Sequence, residues 1–313
     1  MRKWFDKNRS ILLRASGTLL AFVLIVLLVR QEGIENIGQA LKQVSIKTLF
    51  FALFLVLMSR LFVTARWYIL LRSSGMKIPF QKTVAVTFMG LFSSNFLPTT
   101  VGGDVVRLIV IIQLGVDRAV GLASLAVDRL VGMLGMTLLL PFGVFPVWNA
   151  VGKEILISTF FSSSFYNLRQ FAKRTLKSFS IWIKKPYALL LSLAFSGMHV
   201  LCIGVTLFIL IRDLGYDLDP LLVAGLWSVA YFVTLFPISI NGYGLQELSL
   251  TFLFLHIGNL SAATGLTVAI LIRLLYMTAS LPGAIYIPVI FSALDKERSE
   301  ANKNTPRNIT LLK

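Results

Sequence analysis

Residues 96–107 read FLPTTVGGDVVR, an apolar run that stops at a proline, breaks over small residues and resumes beside an acid and a base. Apolar segments flank this stretch closely on both sides, so we expect it to lie at membrane depth. Lipid cannot satisfy backbone groups that leave a helix, so irregular chain at that depth is buried in protein or lines a wet cavity. An ionisable pair beside such a break is a candidate functional site.

The composition around this stretch indicates a helical membrane protein. Hydrophobic residues make up 56% of the 313 residues and charged residues only 14%, against about 25% charged residues in soluble proteins. Several apolar runs reach the roughly 20 residues that span a bilayer. We therefore predict an all-α polytopic membrane protein of about 6–8 membrane helices plus half-helices. A single transmembrane domain would cover residues 1–294, followed by a polar cytoplasmic tail at residues 295–313.

The charge balance is strongly basic, with 30 Lys and Arg against 14 Asp and Glu and a net charge of +16. In a soluble protein this would suggest nucleic acid, but in a membrane protein basic residues mark cytoplasmic loops. We therefore expect no nucleic-acid partner, and we place both termini in the cytoplasm, in the cell inner (plasma) membrane. Cys202 is the only cysteine, which excludes an intrachain disulfide, and we predict neither a metal nor a cofactor.

The apolar runs predict both full spans and half-length helices. Full spans are expected at about residues 11–29, 48–71, 120–147, 187–211 and 267–291. The shorter runs at about residues 84–97, 105–114, 221–236 and 248–257 pair into two re-entrant hairpins.

The second break resembles the first, since residues 236–247 read FPISINGYGLQE. Each break has a proline, a glycine five residues later, then charge, an arginine deep in the next apolar run, and a Leu-Pro pair. We infer an internal duplication, with repeat one at about residues 48–148 and repeat two at about residues 187–291. Loop charges predict that the repeats are inverted, which requires residues 153–166 to cross the membrane. Paired broken segments of this kind indicate a transport site.

The charged residues at membrane depth are the candidate binding site. Arginine suits phosphate because its planar fork bonds two oxygens, half-helix N-termini attract anions, and glycine permits tight backbone geometry. The alternative is that these charges form internal ion pairs that only hold helices together. Arg66 is expected to snorkel to the interface, and Arg60 is a deeper, weaker candidate. The predicted substrate-binding residues, expected in one cavity, are Asp104, Arg107, Asp128, Arg129, Asn241, Tyr243, Glu247 and Arg273, and the predicted break residues are Pro98, Gly102, Gly103, Pro237, Gly242 and Gly244.

These two breaks, the Asp128-Arg129 pair and the late Arg273 resemble a known family over most of residues 48–291. It is the flippase-like integral membrane family related to the N-terminal transmembrane region of lysylphosphatidylglycerol synthase, the multiple-peptide-resistance factor. The resemblance implies handling of an amphipathic lipid, as in the translocation of aminoacylated phosphatidylglycerol. The partners it implies are membrane phospholipids with an anionic or aminoacylated headgroup. The synthase carries a cytosolic aminoacyl-transferase domain after its membrane part, whereas only a short tail follows here, so we expect no enzyme.

The function predicted is therefore a lipid flippase or transporter that moves a phospholipid or similar amphiphile between leaflets. One alternative is a membrane-embedded enzyme, or an accessory protein, acting on lipid-linked glycan or aminoacyl substrates. The sequence shows no nucleotide phosphate loop, HExxH motif or acidic metal cluster, and we name no catalytic residue. A small-solute secondary transporter is the second alternative, because such transporters share inverted repeats and broken helices. A homodimer and a separate lipid-synthesising enzyme are further partners considered.

Overall fold

The computed structural model describes residues 19–20, 22–27, 29–30, 34–96, 102–151, 182, 184–236, 239, 241–286 and 288. Within these ranges the chain is helical, with short turns. The helices that position the candidate site are α1 (Ile34–Gln43), α2 (Ile46–Ser73), α3 (Phe80–Phe96), α4 (Gly103–Gln113), α5 (Arg118–Thr137), α6 (Leu140–Val151), α7 (Pro186–Asp213), α8 (Pro220–Thr234), α9 (Leu245–His256) and α10 (Ala262–Ser280), followed by a 3-10 helix (Leu281–Tyr286).

Four helical segments of the described chain are long and apolar enough to cross a membrane: α2, α5, α7 and Ala262–Tyr286. Helices α2 and α7 each have 28 residues, a rise of about 42 Å against a hydrocarbon core of about 30 Å. The all-α polytopic membrane class is therefore confirmed. The first predicted span lies largely outside the described residues, and the proposed crossing at residues 153–166 lies wholly outside them.

The predicted run at residues 120–147 differs from the structure, where it forms two helices. Helix α5 ends at Thr137 and α6 begins at Leu140. Pro141 stands in the first turn of α6, where a missing backbone N–H costs nothing. Hydropathy alone could not detect this break, because Leu138 and Leu139 at the junction are as apolar as the helices they separate.

Two sets of helices repeat in the same order. Helices α2 and α7 are each followed by a turn glycine with positive φ, Gly75 at 97° and Gly215 at 85°. A pair of short helices comes next, α3 with α4 and α8 with α9, and we call these pairs the first and second hairpins. Helices α5 and α10 then follow, each with a side-chain N-cap, Asp117 and Ser261, that satisfies free N–H groups of the first turn.

The equivalent helices α2 and α7 run antiparallel along their lengths. At one end the Ser45 N–H donates to the Asp213 carboxylate at 2.6 Å. At the other end the Trp182 indole N–H donates to the Leu70 carbonyl at 3.1 Å. Since α2 and α7 hold the same place in their repeats, their opposite directions are those of an inverted repeat.

Each hairpin packs against the end of the other repeat. Helix α3 contacts the 3-10 helix and α10, and α8 contacts α6 and α5. Glycines allow the closest approaches: a Cβ added to Gly283 would lie 2.2 Å from the Phe88 carbonyl oxygen, and one added to Gly143 would lie 2.2 Å from that of Gly225. Gly283 directly follows the Leu281-Pro282 pair, and Gly143 stands one residue beyond the Leu140-Pro141 pair. The two Leu-Pro pairs therefore mark equivalent helix contacts.

Candidate functional site

A network of ion pairs connects α2, α4 and α5. The Arg66 Nε donates to Asp128 Oδ1 at 2.7 Å, and Arg107 Nη2 lies 3.4 Å from the other oxygen of that carboxylate. Arg107 Nη1 contacts Asp104 at 3.1 Å, and Arg129 Nε donates to the second Asp104 oxygen. Three guanidinium groups therefore share two carboxylates in what we call the first network, which leaves a surplus of positive charge. Arg66, Arg107 and Asp128 are buried.

A second cluster forms around Arg273 on α10. Its Nε donates to Glu247 Oε1 at 2.5 Å, and its Nη2 donates to Gln246 at 3.0 Å and to the Gly242 carbonyl at 3.3 Å. The guanidinium lies over the Tyr243 ring, 4.7 Å from the ring centroid, within the range of a cation–π contact. The other Glu247 oxygen accepts the Gly244 N–H at 2.8 Å. This cluster is neutral and fully hydrogen-bonded around its carboxylate.

The two clusters contain equivalent ion pairs. In each repeat an acid in the first turn of the hairpin's second helix binds an arginine of the next long helix: Asp104 with Arg129, and Glu247 with Arg273. Their exposure differs, because the Arg129 and Asp104 side chains are 56% and 26% exposed, against 11% and 8% for Arg273 and Glu247. We therefore call the exposed Asp104–Arg129 pair the open pair and the buried Glu247–Arg273 pair the closed pair.

The tips of the two hairpins touch each other. The Asn241 amide donates to the Ser94 carbonyl at 2.8 Å, and the Tyr243 hydroxyl donates to the Asn95 carbonyl at 2.7 Å. Ser94 also accepts the Gly103 N–H through its hydroxyl at 2.8 Å. The eight predicted binding residues therefore fall into two clusters that the end of α3 connects. Their role in binding stays a prediction, and the break prolines Pro98 and Pro237 lie outside the described residues.

The four glycines predicted at the breaks serve different purposes. Gly242 and Gly244 have φ of 71° and 78°, which strongly favour glycine. A Cβ on Gly103 would lie 1.9 Å from the Gly90 carbonyl oxygen, so α3 and α4 could not pack with any larger residue there. Gly102 has φ of −53° and open space where a Cβ would stand, so neither a positive φ nor a close contact requires glycine at that position.

Arg66 was expected to snorkel to the interface, and that prediction is wrong. Its residue is 6% exposed and bound to Asp128, and a Cβ added to Gly132 of α5 would lie 2.8 Å from its Nη1. Arg66 lies about 10 Å of helix rise inside the end of α2, a depth that could have indicated internal pairing. The neighbouring Trp67 was also missed: its ring lies 4.0 Å from the Arg107 guanidinium, and its N–H donates to Ser124 at 3.2 Å.

An apolar cavity of about 260 Å³ lies beside the first network. It is formed between α5, α7 and α8, and two of its lining glycines, Gly135 and Gly197, adjoin Ser196. The Ser196 hydroxyl in turn lies 3.4 Å from Arg66 Nη1. Across the ranges described, no three His, Cys, Asp or Glu side chains are grouped so that they could hold a metal ion. The site thus offers guanidinium groups, hydrogen-bond donors and a nearby apolar space.

One comparison with known proteins identifies the family of the chain. No curated protein matches the chain in sequence. A family model described as the lysylphosphatidylglycerol synthase TM region matches residues 14–283, which include both hairpins, the first network and the Arg273 cluster. The resemblance inferred from the breaks and buried charges is therefore confirmed, and the chain belongs to the lysylphosphatidylglycerol synthase transmembrane-region family.

Proposed function

We propose that this protein binds the headgroup of a phospholipid or similar amphiphile between its two hairpins and translocates it between leaflets. The observation that carries the proposal is the open Asp104–Arg129 pair at the edge of a network with surplus positive charge. The equivalent pair, Glu247–Arg273, is closed and lies on the other side of the contact between the hairpin tips. The chain also belongs to a family named for the membrane region of a lipid synthase.

The chemistry of the first network favours a phosphate-bearing headgroup. Arginine forms two parallel hydrogen bonds to phosphate, and such charge-assisted bonds are roughly twice as strong as neutral ones. Arg129 is half exposed, and among the described residues only its Nε is bound, to Asp104, so its remaining N–H groups can bind a ligand. An anion bound there would also neutralise the surplus charge of the network.

The lengths of the hairpin helices support a re-entrant arrangement. Helices α3, α4 and α8 have 17, 11 and 15 residues, a rise of about 25, 16 and 22 Å. Each is shorter than the hydrocarbon core of about 30 Å. We therefore place both breaks inside the membrane, where irregular backbone is tolerated only against protein or a wet cavity.

The difference between the equivalent pairs supports translocation. In the present conformation the Asp104–Arg129 pair would be open to one side of the membrane. Because the repeats are inverted, a second conformation can exist in which the Glu247–Arg273 pair is open to the other side and the Asp104–Arg129 pair is closed. A headgroup would pass between the pairs while its acyl chains remain in lipid or in the apolar cavity between α5, α7 and α8. We place the protein in the inner (plasma) membrane, with both termini in the cytoplasm.

Liposomes carrying a headgroup-labelled phospholipid in both leaflets would test this function. A membrane-impermeant quencher reports how fast the inner-leaflet probe becomes accessible. We expect wild-type protein to raise that rate. Arg129→Gln should lower it at least tenfold relative to wild type, because the headgroup loses a charged hydrogen-bond partner. The variant keeps the Arg107–Asp104 contact and should remain folded. Arg212→Gln is the matched control, since Arg212 is exposed near the end of α7 and lies over Phe208.

Three outcomes would contradict the proposal. Equal probe accessibility in wild-type and empty liposomes, across several lipid classes, would exclude translocation. A new lipid product formed from a donor and an acceptor would favour the membrane-embedded enzyme. Ion-driven uptake of a soluble solute, without lipid movement, would favour the secondary transporter.

A further inference from the structure

Arg60 is a half-buried cation that the two clusters do not use. It stands midway along α2, about 20 Å of helix rise from either end, which is too deep for snorkelling from a helix end. Its guanidinium lies over the Tyr276 ring of α10, 4.1 Å from the ring centroid. Four other arginines of these helices, Arg66, Arg107, Arg129 and Arg273, bind carboxylates. Arg60 makes no ion pair with any carboxylate in the described chain.

The described surroundings of Arg60 provide no counter-ion. The groups that interact electrostatically with Arg60 are Tyr276 of α10 and His199 of α7, and neither is a carboxylate. A cation–π contact offsets only part of the cost of a guanidinium at membrane depth. A charge retained at that depth without a carboxylate partner is a candidate functional site.

A second donor near the same ring lacks an acceptor. The Trp227 indole packs edge-on against Tyr276 with 6.1 Å between ring centroids. Its N–H is buried and has no hydrogen-bond partner among the described residues. Arg60 and Trp227 therefore both contact Tyr276: the Tyr276 hydroxyl is a hydrogen-bond acceptor for Arg60, whereas the described protein provides no acceptor for the Trp227 N–H. Buried donors are almost always paired, so such exceptions call for a ligand or water.

The contact with Tyr276 leaves N–H donors of Arg60 available. A guanidinium has five N–H donors, and the side-chain partner of Arg60 among the described residues is Tyr276. The remaining donors can therefore bind two oxygens of one anion. In Arg66 and Arg273, by contrast, the N–H edge is already occupied by protein oxygens.

We propose that Arg60, held against the Tyr276 ring, is the anchor for a phosphate-ester anion and binds two of its oxygens. This inference rests on the proposed function and names the residue that holds the headgroup phosphate inside the protein. Arg129 would then be the entry contact and Arg60 the deep contact. The same chemistry could come from a lipid headgroup or from a soluble phosphate.

Binding measured on the purified full chain in detergent tests the proposal. The probe is dihexanoyl phosphatidylglycerol, titrated by calorimetry into wild type, Arg60→Gln, Arg60→Lys and the control Arg212→Gln. We expect Arg60→Gln to weaken binding about 10- to 100-fold, as for loss of a charged hydrogen-bond partner. Arg60→Lys should lie between wild type and Arg60→Gln because lysine cannot form the bidentate fork. Arg212→Gln should bind as wild type does.

The outcomes separate this inference from the proposed function. If wild type binds neither phosphatidylglycerol nor inorganic phosphate, the inference is overturned, and the liposome assay decides the proposed function separately. If wild type binds and both Arg60 variants bind equally well, only the Arg60 anchor is overturned. If Arg60→Gln does not fold, Arg60→Lys decides alone, and wild-type affinity in that variant overturns the anchor. Inorganic phosphate is the second probe: an affinity equal to that of the lipid would overturn a lipid headgroup as the ligand, and a much weaker one would support it.

Discussion

Removing the arginine of the closed pair should cost far more stability than removing the arginine of the open pair. Arg273→Gln leaves the buried Glu247 carboxylate with only the Gly244 N–H and removes the donors to Gln246 and the Gly242 carbonyl. Breaking a buried ion pair from one side costs about 3–5 kcal/mol, because the remaining charge stays uncompensated.

Arg129→Gln is the matched change in the other repeat. The Arg129 side chain is 56% exposed, and an exposed ion pair contributes about 0–1 kcal/mol. Asp104 also keeps its contact with Arg107 at 3.1 Å, so no carboxylate is left without a partner. We therefore expect the free energy of unfolding to fall about 2–5 kcal/mol more for Arg273→Gln than for Arg129→Gln.

Reversible unfolding in mixed micelles, followed by the helical circular dichroism signal, measures this difference. The double variant Glu247→Gln with Arg273→Gln should regain part of the loss, because it removes the uncompensated charge. Equal losses in the two single variants, or a larger loss for Arg129→Gln, would refute the view that one pair is closed and the other open.

Four further variants probe the packing of the protein. Asp128→Asn removes the carboxylate shared by two buried guanidinium groups and should lower the free energy of unfolding by about 3–5 kcal/mol. A loss below about 1 kcal/mol would contradict the network. Gly143→Ala should destabilise the protein by about 1–3 kcal/mol, because the added methyl group meets the backbone of the facing helix. Gly38 has open space around it, so Gly38→Ala should stabilise the protein by up to about 1 kcal/mol. The midpoint of thermal unfolding measures both changes. Tyr243→Phe removes the hydrogen bond to the Asn95 carbonyl and should cost about 1 kcal/mol in the same assay; unchanged stability would argue against contact between the hairpin tips.

Hydropathy predicted the fold class and the long helices. The predicted span at residues 48–71 is Ile46–Ser73, and that at residues 187–211 is Pro186–Asp213. These predictions succeed because burial in lipid is a property of the segment as a whole. The order of the motifs also matched Arg129 with Arg273, and the structure pairs each of them with an acid in the first turn of the preceding short helix.

The sequence could not show which face of each helix meets which partner. Arg66 and Arg60 stand on one helix, and hydropathy treats them alike. Only the packing of α5 against α2 brings Asp128 to Arg66 and leaves Arg60 facing Tyr276 of α10. The unequal exposure of the two equivalent pairs was likewise unpredictable, because each pair joins an acid to an arginine and the difference comes from the surrounding helices.

The exchange of contacts between repeats also constrains the order in which the chain can be assembled during synthesis. Helix α3 packs against the 3-10 helix at Leu281–Tyr286, which leaves the ribosome after nearly all of the described chain has been made. Until then the backbone surface around Phe88 that Gly283 covers has no partner. The first hairpin is therefore made before its packing against the 3-10 helix can form. During that interval lipids, an insertion factor or a second copy of the chain can occupy the surface around Phe88.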